Sequence, residues 1–231
     1  MDELNVSALI FALFVAAGLG SFPTGLLVAR EAGEVDLQTI GSGSIGATNI
    51  FRAFGLKWAI VVFMGDKLKG LFAVNCAYAL RLPMFVAAAA GVVAVTMHIF
   101  NPILRGKGGK GVATSFGVIL ALSPWTALFA LALWGALMAW KRIVSLASLA
   151  AAASLPLAMT VFTWTKIYRI SAIAASVLIA GLVIFAHREN LKRLRRGEEK
   201  PPARAPAPPA RPPAEPPPAR GPRNRPPRRS R

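Results

Sequence analysis

The loop Arg105-Gly106-Lys107-Gly108-Gly109-Lys110-Gly111 sits between two strongly apolar runs, residues 87–100 and 112–140. Its seven residues hold three cations and four glycines. Glycines let consecutive N–H groups converge on phosphate oxygens, and lysines supply point charges, so the composition points to an anion. The flanks have the length and apolarity of membrane helices. The first expectation is therefore a phosphate cradle at a bilayer surface.

Composition agrees. The chain has 231 residues, 55% of them apolar and only 16% charged, whereas an ordinary soluble domain is about a quarter charged. Several apolar runs approach the roughly 20 residues that span a bilayer. The first is preceded by Asp2 and Glu3, not by a positive segment, and is longer than a signal-peptide core, so it reads as a retained span. Cys76 is the single cysteine and lies in an apolar segment, which leaves no disulfide framework.

The net charge of +17 is unevenly distributed. Residues 201–231 contain eight arginines, one acid and 13 of the 18 prolines. Such a stretch cannot bury a core and is expected to be a disordered, solvated cytoplasmic tail that touches anionic lipid and binds no nucleic acid. The membrane domain is residues 1–200.

Basic loops at 30–57, 102–111, 141–145 and from 187 onward belong in the cytoplasm by the positive-inside rule. Joining them gives seven transmembrane helices near 6–29, 57–80, 83–101, 112–122, 125–140, 146–163 and 169–187. The fold class is an all-α polytopic membrane protein with its N-terminus outside and its C-terminus cytoplasmic. The fourth and fifth spans are short or partial. Reading 112–140 as one helix gives five spans, but puts Lys141 and Arg142 on the opposite side from the other basic loops.

A second glycine turn reads Gly41-Ser42-Gly43-Ser44-Ile45-Gly46-Ala47-Thr48-Asn49-Ile50-Phe51-Arg52. It satisfies the dinucleotide-binding spacing but lacks the preceding strand and βαβ unit, so that reading fails. What remains is a turn that opens a helix with free N–H groups, and with Asn49 and Arg52 on one face. The loop at 105–111 is not a nucleotide P-loop either, because Gly111 is followed by Val112 and Ala113. Thr114 and Ser115 open the next helix and could add donors. Asp66, Lys67 and Lys69 lie near the cytoplasmic end of the second span, where Asp66 pairs either with a cation of the glycine loop or, at least as readily, in a structural ion pair. Lys141 and Arg142 precede two hydroxyls, Ser145 and Ser148.

The chain has two histidines, His98 and His187, both at cytoplasmic ends of apolar spans, and no carboxylate cluster at ligand spacing. No metal site is expected. His187 and Asn190 form an i, i+3 pair, and a hydroxyl-acceptor reaction needs a proton acceptor such as His.

Together, the segment 41–52, His98-x-Phe100 with Lys107-Gly-Gly-Lys-Gly-Val-Ala-Thr114, Arg142-x-Val-Ser-Leu-x-Ser148, and His187-Arg188-x-Asn190 with Gly197-x-Glu199 resemble the bacterial acyl-phosphate-dependent glycerol-3-phosphate acyltransferases, the PlsY family. The resemblance covers residues 6–200. Ser44, Met97 and Asn101 depart from the family pattern, which usually has Asn, Gly and Pro there.

The resemblance implies acyl transfer from acyl phosphate to sn-glycerol 3-phosphate. The products are 1-acylglycerol 3-phosphate (lysophosphatidate) and phosphate, the first step of phospholipid synthesis. It implies a seven-span enzyme of the bacterial inner membrane with its active site on the cytoplasmic side and no cofactor. The partners are the two substrates and membrane lipid, and a monomer is expected. Gly41, Ser42, Gly43, Asn49, Arg52, Lys107, Gly108, Gly109, Lys110 and Thr114 would hold phosphates. Ser145, His187 and Asn190 would position the acceptor, with His187 or a substrate phosphate taking the proton. The competing class is a membrane transporter of a phosphorylated solute, and a third is an interaction scaffold acting through the tail.

Overall fold

The computed structural model describes residues 5–33, 37, 39–166 and 169–203, and the Pro/Arg-rich tail from 204 onward lies outside the described residues, as does part of the first polar loop. Among the described residues the chain forms helices and no strand: α1 (Val6–Ser21), α2 (Thr24–Gly33), α3 (Ala47–Phe54), α4 (Leu56–Ala79), α5 (Met84–Ile99), α6 (Val112–Leu122), α7 (Pro124–Lys141), α8 (Val144–Phe162), α9 (Arg169–Ala186) and α10 (Arg188–Arg195). A 3₁₀ turn, Pro102–Leu104, opens the first-quoted loop.

The seven apolar segments read from the sequence are all helical, with ends that agree within two residues for all but the first. That segment is two helices. Pro23 has no N–H to donate back into a continuing helix, so α1 closes with the Phe22 N–H bonded to the Leu19 carbonyl and α2 begins at Thr24. At the other ends local chemistry is explicit. Asn5 caps α1 by accepting from the Ala8 N–H, and Ser123 caps α7 ahead of Pro124 at the first turn. Arg142 closes α7 in the left-handed conformation, φ 56°, where a cation also suits the negative end of the helix.

Among the described residues three helical stretches are able by length and composition to cross a membrane, Val6–Gly33, Met84–Leu104 and Val144–Phe162, and a fourth if Ile170–Ala186 and Arg188–Arg195 count as one bent span. The exterior explains where the apolar excess goes. Phe14, Leu157 and Ile170 are each more than 70% exposed, a belt that water does not tolerate and lipid does. Exposed Trp140 marks one end of α7, with Lys141 Nζ 3.9 Å from its ring centre, and exposed Trp125 marks the other.

The interior is built from small residues. Ala87, Ala88, Ala127, Ala152 and Ala172 are buried with Val74, Val95, Val118 and Ile179 between α4, α5, α6, the start of α7, α8 and α9. α4 packs on α6, α5, α1 and α3, whereas α7 packs on α6 and α8. α4 and α7 therefore stand apart, and the space between them is the site. α9 and α10 meet at a 63° bend, placing His187 at the corner.

Candidate active site

A cavity of about 700 Å³ runs between these helices. Its polar head is formed by Ser42, Asn49, Arg52, Lys110, Ser145, His187, Asn190 and Glu199. Its apolar trough continues down α6, α7 and α8 past Phe116, Ile119, Trp134, Ala152 and Leu155. Ile60, Met64 and Leu131 line it and are also between 43% and 50% exposed, so the trough opens sideways between α4 and α7 toward the apolar exterior. A second cavity of about 470 Å³ adjoins the head and is lined by Gly43, Lys107, Gly108, Gly109, Arg188 and Arg193, sharing Ser42, Lys110 and Asn190.

One hydrogen-bonded network organises the head. Lys110 Nζ donates to Asn190 Oδ1 at 2.7 Å, and Asn190 Nδ2 donates to Glu199 Oε1 at 2.6 Å. Ser145 Oγ donates to the same oxygen at 2.8 Å, and Arg193 Nε donates to Glu199 Oε2 at 2.6 Å. Burial alone would raise the Glu199 carboxyl, but the hydrogen bonds from Arg193, Ser145 and Asn190 outweigh it and hold it below its ordinary value. Lys110 moves from 10.5 down to about 8, chiefly because burial disfavours its charge. Glu199 works against that shift, while Arg193 and Arg52 reinforce it. The head thus concentrates positive charge around Glu199, while the other acid on the cavity wall, Asp66, is paired with Lys69, an arrangement that suits an anion.

His187 is buried at the α9–α10 corner with Nδ1 2.8 Å from the Val183 carbonyl oxygen. A carbonyl only accepts, so this contact assigns the proton to Nδ1 and leaves Nε2 as a lone-pair acceptor on a cavity-lining residue. Trp134 Nε1 donates to Ser148 Oγ at 3.1 Å and fixes the indole along the trough.

The sequence-predicted residues gather here, with corrections of role. The N–H groups of Gly108 and Gly109 do not point at an anion. They donate to the carbonyls of Ile99 and His98 at 3.1 Å, closing the end of α5. Their glycine character answers to close packing, since a Cβ on either residue would overlap His98. Gly106 and Lys107 N–H groups are likewise bonded within the loop, to Asn101 and Leu104. Lys107 lines the second cavity rather than the first.

Asn49 lines the head but its amide holds the first glycine turn. Oδ1 accepts from the Ser42 N–H at 3.1 Å and Nδ2 donates to the Leu37 carbonyl at 3.1 Å. Gly41, φ 55°, lies against Asn49 and Arg52, where a Cβ would come within 2.5 Å of Asn49 Oδ1, so it shapes the turn and does not line either cavity. Thr114 is wholly buried and lines neither cavity, whereas its neighbour Ser115 lines the first. Of the two pairings open to Asp66 the structure has the structural ion pair, with Lys69 at 2.8 Å, rather than one with a loop cation. Among the described residues no group of three or more potential metal ligands occurs.

Glu199 is the residue whose weight the sequence reading understated. Its signal is Gly197, which adopts φ 69° and turns the chain so that the residues after α10 fold back onto the head.

Half-buried cations, buried hydroxyls and a buried imidazole at the head of an apolar trough, in an all-helical apolar fold, define a membrane protein whose candidate site joins a cationic head to an apolar trough. A sequence profile described as glycerol-3-phosphate acyltransferase matches residues 10–197. The glycerol-3-phosphate acyltransferase of Geotalea daltonii is 47% identical over 181 residues, covering 78% of this chain and 91% of that protein. That of Geobacter sulfurreducens is 45% identical over 199 residues, covering 86% and 97%. The crystal structure of PlsY (YgiH), an integral membrane glycerol 3-phosphate acyltransferase, in its glycerol 3-phosphate form, superposes with a TM-score of 0.76 at 38% identity, covering 84% of this chain and 94% of that one. Its lysophosphatidic acid form gives 0.75 at 37% identity, with the same coverage. The chain belongs to the glycerol-3-phosphate acyltransferase family.

Proposed function

We propose that this protein transfers an acyl group from acyl phosphate to a hydroxyl of sn-glycerol 3-phosphate, giving lysophosphatidate and inorganic phosphate. The observation that carries the proposal is the continuity of the large cavity, with a cationic head and an apolar trough in one space. A soluble phosphate ester alone needs only the head, and an acyl donor needs both.

In this reading both phosphates lie in the head and the second cavity, opposite Arg52, Lys107, Lys110 and Arg193. The acyl chain enters between α4 and α7 and lies along Phe116, Ile119 and Leu155. The acceptor hydroxyl attacks the acyl carbonyl carbon, a carbon–oxygen ester bond forms, and the bond from that carbon to the phosphate oxygen breaks. The hydroxyl proton passes to His187 Nε2 or to the departing phosphate. Ser145 and Asn190, held by Glu199, position the acceptor, and Lys110 with Arg52 stabilises charge on the transferring carbonyl and leaving phosphate. The donor is already activated, so the reaction needs neither a covalent acyl-enzyme nor a cofactor.

Seven spans, with the N-terminus outside and the head on the cytoplasmic face of the bacterial inner membrane, are part of the proposal. They are supported by seven apolar helical segments, of which α6 is only 11 residues long, and by Lys107, Lys110, Lys141, Arg142 and the α10 cations falling on alternate connections. The protein acts as a monomer, and the tail of residues 201–231 is dispensable for the chemistry. Phosphate release from palmitoyl phosphate in the presence of glycerol 3-phosphate, by purified protein in detergent, tests the reading.

A further inference from the structure

The loop that presents Lys110 is anchored from below by buried polar residues that carry no chemical step in the proposed reaction, although two of them, Asp66 and His98, also line the main cavity. Asp66, Lys69 and His98 are each at most 4% exposed and form a polar string from α4 to α5. Lys69 Nζ donates to the Phe22 carbonyl at 2.8 Å and lies 2.8 Å from Asp66 Oδ1. The same carboxylate oxygen is 3.8 Å from His98 Nδ1, which has no hydrogen-bond partner among the described residues. Placing an acid, a lysine and an imidazole inside apolar helices is costly, and a string of this kind calls for a role.

One end of the string is the α1–α2 break. There the chain leaves its helix, and its carbonyls accept from outside: Phe22 from Lys69, and Ser21 from Asn101 Nδ2 at 2.8 Å. Asn101 Oδ1 in turn accepts from the Leu104 N–H at the start of the glycine loop. The other end is His98. Its carbonyl accepts the Gly109 N–H, and its ring lies so close under Gly109 that no side chain fits between them. Lys110 follows directly.

We infer that Lys69, Asp66 and His98 form a positioning relay that transmits the fixed point at the α1–α2 break, through Gly109, to the height of Lys110 in the site. The functional consequence rests on the acyltransferase reading; the relay itself does not. Lys110 is faced by Arg52 from α3, by His187 at the α9–α10 corner, by Arg193 from α10 and by Glu199 beyond it, so a small displacement changes its electrostatic surroundings.

The test uses the full chain in detergent, as wild type, His98→Gln, His98→Ala, Asp66→Asn and the His98→Ala/Asp66→Asn double variant. The first readout is amide hydrogen exchange, which needs no turnover. Exchange at Gly108 and Gly109 is expected to quicken by about tenfold or more in His98→Ala and Asp66→Asn alike, with His98→Gln intermediate and exchange in α7 and α8 unchanged. The second is the pH profile of kcat/KM with palmitoyl phosphate and glycerol 3-phosphate. Lys110 freed from its half-buried position titrates later, so the alkaline limb moves up by about one pH unit, and kcat falls by about tenfold. The double variant loses no more than the worse single one, because the relay is already broken. Unchanged exchange at Gly108 and Gly109, or an unmoved alkaline limb with losses that multiply in the double variant, overturns the relay. His98→Gln keeps the Lys69–Asp66 pair intact and so reports even if Asp66→Asn fails to fold. Quickened exchange in a protein whose wild type turns over no acyl phosphate upholds the relay and refutes the acyltransferase reading.

Discussion

Lys110 and Asn190 lie 80 positions apart in the chain and 2.7 Å apart in space. That contact joins the glycine loop after α5 to the helix after α9, and through Asn190 reaches Glu199 and Ser145. It places a cation, an amide, a carboxylate and a hydroxyl at the head of the trough. Each part of the account can be tested from it.

Lys110→Ala removes the cation nearest the network's centre. Turnover is expected to fall by at least about 10²- to 10³-fold, the loss usual when one preorganised donor to developing charge is deleted. Elution of the variant as a single species in detergent checks that the membrane fold survives. Normal turnover would remove Lys110 from the site.

The pH dependence follows from the same residue. Lys110 is lowered to about 8, so it is charged below that pH and loses its charge as pH rises through it. Anion binding by the free enzyme is therefore expected to be full near neutrality, with kcat/KM declining above about pH 8. A bound phosphate favours the charged form, so the limb in kcat lies higher than the limb in kcat/KM. Steady-state rates from pH 6 to 10 measure both.

Glu199→Gln leaves Arg193 and Lys110 without their counter-charge and weakens the bonds from Ser145 and Asn190. Activity is expected to fall by about tenfold or more. The Glu199 carboxyl is held below its ordinary 4.5, so its contribution to stability is present above that pH and lost as pH falls through the folded-state value. The wild type should therefore lose thermal stability on acidification below about pH 4.5, and Glu199→Gln should lose less.

The trough makes a prediction about chain length. On α8 the residues from Ser145 to Leu155 extend about 15 Å at 1.5 Å per residue, and Ala152 lines the far part. Ala152→Phe is expected to fill it and shift preference toward shorter acyl phosphates by about tenfold, a difference of one or two methylenes. Competition between palmitoyl and decanoyl phosphate reads the ratio, and an unchanged ratio would place the chain elsewhere.

Much of this was legible in the residues, for reasons that can be named. Pro83, Pro124 and the cation pair Lys141-Arg142 punctuate apolar runs, and the helices α5, α7 and α8 begin or end at them. The motifs around Asn49, Lys110, Ser145 and His187 predicted one site, and all four line one cavity. The break at Phe22-Pro23 was not legible, because the run stays apolar on both sides of the proline. Nor was the use of the Gly108 and Gly109 N–H groups. Composition shows that donors are available but not that the end of α5 supplies their acceptors. Glu199 stood among basic residues beside a proline-rich tail, and only the turn at Gly197 brings it back to Ser145.

The most direct measurement is a phosphate-release assay on the purified protein in detergent with palmitoyl phosphate, with and without glycerol 3-phosphate, followed by identification of the lipid product. The account predicts glycerol 3-phosphate-dependent release of inorganic phosphate and an equal amount of 1-palmitoylglycerol 3-phosphate. Uptake of glycerol 3-phosphate into vesicles with no phosphate release and no acylated product would contradict it and favour a transporter.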